Sequence, residues 1–148
     1  MTRRVLPISI IILSLLVFSI AWYVFSTQNQ TPIQTYSATI NHDCAPWDGS
    51  AFTVSIPLQS SVINISIYQP PDIKRPATFS FPDETMRVGN VLLTLPIDRH
   101  EQLRGTVIFQ HVEQGLPVEG RFDLITETGQ QFQGKFIAEW GDEIIYCG

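Results

Sequence analysis

An all-β body is what this sequence predicts, folded as an antiparallel β-sandwich or, as the alternative, a partly open β-barrel, and preceded by one N-terminal transmembrane helix. Three observations lead there. One uncharged apolar run stands at the N-terminus; short segments of alternating apolar and polar residues follow it; and Pro, Gly, Asp and Asn punctuate those segments. Of the 148 residues, about 110 remain for the body, the size of one ordinary domain.

Residues 1–4 read as a cytoplasmic stub, 5–25 as a signal-anchor helix, 26–35 as a polar linker and 36–148 as an extracytoplasmic β domain. From Val5 to Phe25, about 21 residues carry no charge, and a helix of that length spans the roughly 30 Å of a hydrocarbon core. Pro7 falls in the first turn, where a missing N–H costs no helical bond, and Trp22 and Tyr23 suit the far interface. Arg3 and Arg4 precede the run and no basic residue follows before Lys74, so the positive-inside rule leaves the N-terminus in the cytoplasm and exports the body. The alternative is a cleaved secretory signal, with Ser19 and Ala21 as the small residues before the cut, which makes the body secreted or periplasmic. The run is longer than the roughly 7 to 15 residues of a signal core. No cysteine follows it closely, so lipid attachment is not supported.

Strands are expected near Tyr36–Asn41, Ala51–Ile56, Val62–Gln69, Ala77–Phe81, Val91–Leu95, Leu103–Val112, Val118–Thr126, Gln131–Trp140 and Ile144–Cys147. Ile63, Ile65 and Ile67 alternate with Asn64, Ser66 and Tyr68, the period-2 pattern of a sheet with one face wet. Gln114-Gly115, Thr128-Gly129 and Gly141-Asp142 mark tight reversals, so the last four strands should form an antiparallel meander. Three of those segments share the order apolar, polar, Gly, polar, apolar, around Gly105, Gly120 and Gly134. Alternation turns these glycines inward, which leaves room for a ring of Trp140, Phe122 or Phe136 to lie across the backbone. A ligand cavity within a small barrel is the alternative.

Cys44 and Cys147 are the only cysteines, and an exported body lives where disulfides persist, so they should pair. The bond is structural; no Cys-x-x-Cys spacing or cationic neighbour suggests redox chemistry.

The formal net charge is -5 and the basic residues are scattered, so nucleic acid is not an expected partner. His42, Asp43, Trp47 and Asp48 gather in one polar loop beside Cys44 and form the candidate interaction loop. Asp43 and Asp48 lack calcium-loop spacing, and His42, His100 and His111 lack metal-ligand spacing, so no metal and no cofactor are expected. Asp98, Arg99, His100 and Glu101 read as a solvated loop tip without a nucleophile, and no catalytic residue is assigned. Asn29 and Asn64 head N-glycosylation sequons. Ile108, Ile125 and Ile137 fall in the outward register and form a candidate surface patch.

The expected role is a membrane-anchored, extracytoplasmic, noncatalytic binding or envelope-accessory module, with an envelope protein or a glycan as partner. A small carrier enclosing an apolar ligand among Phe109, Phe122, Phe136 and Trp140 is the second reading. A hydrolase centred on His42 and Asp43 is the third. Protease added to sealed, right-side-out vesicles should digest the body, and Cys44 and Cys147 should resist alkylation until a reductant is added. A protected body with both thiols freely alkylated would sink the export reading.

Overall fold

The computed structural model describes residues 33–85, 87–142 and 145–147. The stub, the anchor helix and all but the end of the linker lie outside them. The described residues are all-β, with no helix that could cross a membrane.

Two runs of strands build the body. In the first, β1 (Thr35–Cys44), β2 (Ser50–Pro57), β3 (Val62–Ile67), β6 (Gly89–Leu95) and β7 (Arg99–Gln102) pair antiparallel in that spatial order. In the second, β5 (Ala77–Phe81), β8 (Arg104–Phe109), β10 (Val118–Ile125) and β11 (Gln131–Trp140) do the same. A separate two-stranded ribbon pairs β4 (Asp72–Ile73) with β9 (Val112–Glu113). The two runs meet at β1 and β11, whose ladder is parallel, from Thr35 opposite Lys135 to Ile40 opposite Trp140. The result is one nine-stranded sheet curled into a half-barrel.

Alternation explains which side became the core. In β10 every second residue from Val118 to Leu124 is buried and the residues between are exposed. The concave face brings the two runs together through aromatic rings. Fully buried Phe109 of β8 meets Phe52 of β2 and Phe136 of β11 edge-on, each at 5.6 Å, and Phe79 of β5 at 5.8 Å. Edge-to-face pairs of this kind add about 0.5–1.5 kcal/mol each beyond their buried area. At the seam Ala38 stands opposite Ala138, both buried, so the strands there carry little side-chain bulk.

The inward glycines divide into two kinds. Gly134 lies opposite Phe122 and Gly120 opposite Phe136, and the rings cover the missing side chains. A Cβ on Gly134 would stand 2.6 Å from the Tyr36 ring and 3.0 Å from Phe122. A Cβ on Gly120 would run into the Phe136 ring and stand 2.7 Å from the Ile108 carbonyl oxygen. Packing therefore accounts for both, with Tyr36 supplying a ring in place of the expected Trp140. Gly105 is different: its φ of 135° and the Asp123 carbonyl beside it make it a close approach of two backbones.

Other expectations are corrected. β1 runs on to Cys44, three residues past the expected Asn41, because β2 pairs with it to the end, Ser50 opposite Cys44. Residues 145–147 belong to no strand, and β11 ends the meander by pairing with β1 in parallel. Gly141 makes no reversal; its N–H extends the seam, donating to the Ile40 carbonyl at 2.9 Å. The charged tip around His100 is strand β7, reached through a turn in which Ile97 and Asp98 both hold positive φ. The segment from Leu103 to Val112 breaks into β8 and β9. Gly115 and Gly129 turn the chain with positive φ as expected.

The two ring-covered glycines can be tested by adding a methyl group. Gly120→Ala should cost about 1–3 kcal/mol in denaturant unfolding, the ordinary range for overpacking, and more than Gly134→Ala. A carbonyl oxygen cannot rotate away from a new Cβ, whereas ring edges can shift; equal costs would contradict that account.

Candidate functional site

The expected interaction loop is mostly strand. His42 and Asp43 are successive residues of β1 and therefore point to opposite faces; only Ala45–Gly49 form the turn. There the Ala45 N–H donates to the Gly49 carbonyl at 2.8 Å, and Asp48 takes a φ of 61°.

His42 belongs to the concave register, where its ring stacks on Trp140 with centroids 4.9 Å apart and planes 35° from parallel. The Trp140 indole N–H donates to the Glu113 carbonyl at 3.0 Å. Asp43 belongs to the convex face. Its carboxylate accepts from the Cys44 N–H at 2.8 Å and from the Thr53 hydroxyl at 2.6 Å. The imidazole and the carboxylate are thus not brought together.

From Asp43 a polar row runs across the convex face. The hydroxyls of Thr53 and Ser66 share a hydrogen bond at 2.9 Å. Beside it, Ser55 donates to the Asn64 carbonyl oxygen at 2.8 Å, Asn64 donates to the Thr94 hydroxyl at 3.0 Å, and Thr94 and the His100 Nδ1 lie 3.1 Å apart. The outward residues of β2, β3 and β6 carry no charge, only hydroxyls, carboxamides and apolar groups. The Asn64 sequon lies inside this network; Asn29 lies outside the described residues.

Trp47 borders the row. Its side chain does not cover the core; it is 52% exposed and stands edge-on to Tyr68 with centroids 5.4 Å apart. The Asn90 amide donates to the Tyr68 hydroxyl at 2.9 Å. Burial raises the Tyr68 phenol above its ordinary pKa, the Asp43 carboxylate raises it further, and the Asn90 bond acts in the opposite direction.

The isoleucine patch has the expected orientation but no continuity. Ile125 and Ile137 are 40% and 44% exposed, and Ile108 is half-buried. Ile108 pairs with Arg121 and Ile137 with Glu119, so charged side chains of β10 separate them. Ile125 pairs with Gln131, six positions from Ile137 along β11, which is about 20 Å of strand. The Cys44–Cys147 disulfide is formed, with Cα atoms 5.6 Å apart.

Sequence reasoning missed Thr53 and Tyr68 as neighbours of Asp43, and Ser66 and Asn90 as the partners of those two. Their alternation was visible; which strands stand side by side was not. Comparison with protein-family models, with characterised proteins and with solved structures finds no match.

Tyr68 supplies a local test. Its raised pKa favours the neutral phenol in the folded state, so its contribution to stability is complete below about pH 10 and is lost as pH rises through the folded value. Asp43→Asn should lower the Tyr68 titration midpoint without restoring the ordinary value, since burial is the larger cause. The difference in phenolate absorbance between this variant and its Tyr68→Phe derivative reads the midpoint; no movement would remove Asp43 from the account.

Proposed function

We propose that this chain is a membrane-tethered, extracytoplasmic, noncatalytic binding module that holds a neutral glycan on the convex face of β2, β3 and β6. The observation that carries the reading is the set of uncharged hydroxyl and carboxamide groups hydrogen-bonded across β2, β3 and β6, bordered by the Asp43 carboxylate and the half-exposed Trp47. A saccharide presents alternating hydroxyl donors and acceptors, and hydroxyl and carboxamide side chains keep spare lone pairs and protons to meet them. Bonds along the row hold those groups in place before a ligand arrives, which lowers the ordering cost of binding. An indole offers rigid area for the apolar face of a sugar ring.

The tether is the N-terminal hydrophobic run, with export supported by its flanking arginines and by the disulfide. The noncatalytic assignment is supported by the separation of His42 from Asp43 across β1. The binding module is favoured over a carrier because Phe109 and Phe136 fill the concave side against each other.

Full-length protein in polyoxyethylene detergent micelles, which present neither sugar nor cation, should bind at least one of a panel of neutral β-glucan, chitin-type and α-glucan hexamers by isothermal titration. Trp47→Ala should weaken that binding by about ten- to thirty-fold, the usual consequence of truncating an anchoring tryptophan. Binding that survives Trp47→Ala unchanged, or heat from none of the sugars, would overturn the proposal.

A further inference from the structure

At the end of the seam between β1 and β11, away from the polar row, a surface cavity of about 460 Å³ is lined by His42 and Trp140. Its volume falls within the roughly 300–1,000 Å³ of ligand sites. Because the Trp140 N–H is already bonded to the Glu113 carbonyl, the indole offers this cavity ring surface and no donor. The face of an indole carries the negative end of its quadrupole and attracts cations. Leu116, 46% exposed, and Pro117 form an apolar wall. Glu139 and Asp142 also line it, and among the described residues neither Lys nor Arg takes part.

Two aromatic residues, an apolar wall and an acidic lining are the complement of one kind of group, a flat cation on an aliphatic stem. We infer that the cavity receives an arginine side chain of a partner polypeptide. A guanidinium stacks on aromatic rings and bonds carboxylates through a planar fork, which an ammonium cannot do, and its methylene stem matches Leu116 and Pro117. The Gln114–Pro117 turn brings backbone groups to the same wall, where the peptide flanking an arginine can pair. This site shares no residue with the proposed glycan face, so either can fail alone.

The test uses ¹⁵N-labelled full-length protein in polyoxyethylene micelles, titrated at low salt with Ac-Gly-Arg-Gly-NH₂, with its citrulline counterpart and with choline. The Trp140 indole N–H and the Gly115 amide signals should shift saturably with the arginine peptide, and the neutral citrulline peptide should bind at least about ten-fold more weakly. Glu139→Gln with Asp142→Asn should weaken the arginine peptide by about ten-fold, as should raising the salt to about 0.5 M. Trp47→Ala should leave it unchanged. Equal affinity for arginine and citrulline, or wild-type affinity in the double variant, would overturn the inference. Choline binding as tightly as the arginine peptide would also overturn it, pointing to a lipid headgroup.

Discussion

The parallel ladder between β1 and β11 is the constraint on which the rest of the body depends. Each run of strands is held by antiparallel pairing between neighbours; among the described residues only this ladder makes them one sheet. It joins the first strand of the body to the last, so loop closure across nearly the whole domain precedes it. The Cys44–Cys147 disulfide bears on the same problem, because it links the end of β1 to a residue shortly after β11, with a sequence separation of 103. In the chain-entropy account a loop of that size is worth about 4–5 kcal/mol. Net domain stabilities are only about 5–15 kcal/mol, so the bond and the ladder together hold a large share of the margin.

Once the halves are joined, period-2 alternation assigns every strand a wet and a dry side, and the wet side differs between them. The outward residues of β10 and β11 include Glu119, Arg121, Asp123 and Lys135, exposed and strongly solvated. Those of β2, β3 and β6 are uncharged, and among them Thr53 bonds Ser66 while Asn64 bridges Ser55 and Thr94. A charged face resists desolvation, whereas an uncharged polar face can exchange water for another hydroxyl-bearing partner at little electrostatic cost. This contrast favours the β2, β3 and β6 side as the place where a ligand sits.

Much of this was legible in the residues, and the omissions have physical causes. Alternation in Val62–Ile67 and Val118–Ile125 located those strands and their buried faces, and the Gly-centred pattern identified inward glycines that rings cover. Strand β7 was hidden because its turn holds Ile97 and Asp98 at positive φ, where glycine or asparagine would have announced a reversal. The polar sequence His42-Asp43-Cys44 looked like loop because strand propensity reflects burial and neighbours, and here the neighbour β2 keeps those residues paired. Had the strand been extended to Cys44, period 2 alone would have separated His42 from Asp43. No local pattern could reveal the parallel seam, which rests on contacts between opposite ends of the body.

The same seam explains why His42 and Trp140 meet. Ile40 pairs with Trp140 in the ladder, and His42 lies two residues beyond Ile40, hence on the same face of β1 and within stacking reach of the indole. The Glu113 carbonyl then holds the indole from a third segment, next to the turn that supplies Leu116 and Pro117. The aromatic pair and the wall of the cavity therefore come from three parts of the chain whose relative position is set by the ladder and the disulfide. Local opening of the seam would separate the two rings while the edge-on cluster around Phe109 still held the runs together. The cavity is thus the feature of the body most directly coupled to the meeting of its chain ends, whereas the polar row, built within β2, β3 and β6, is not.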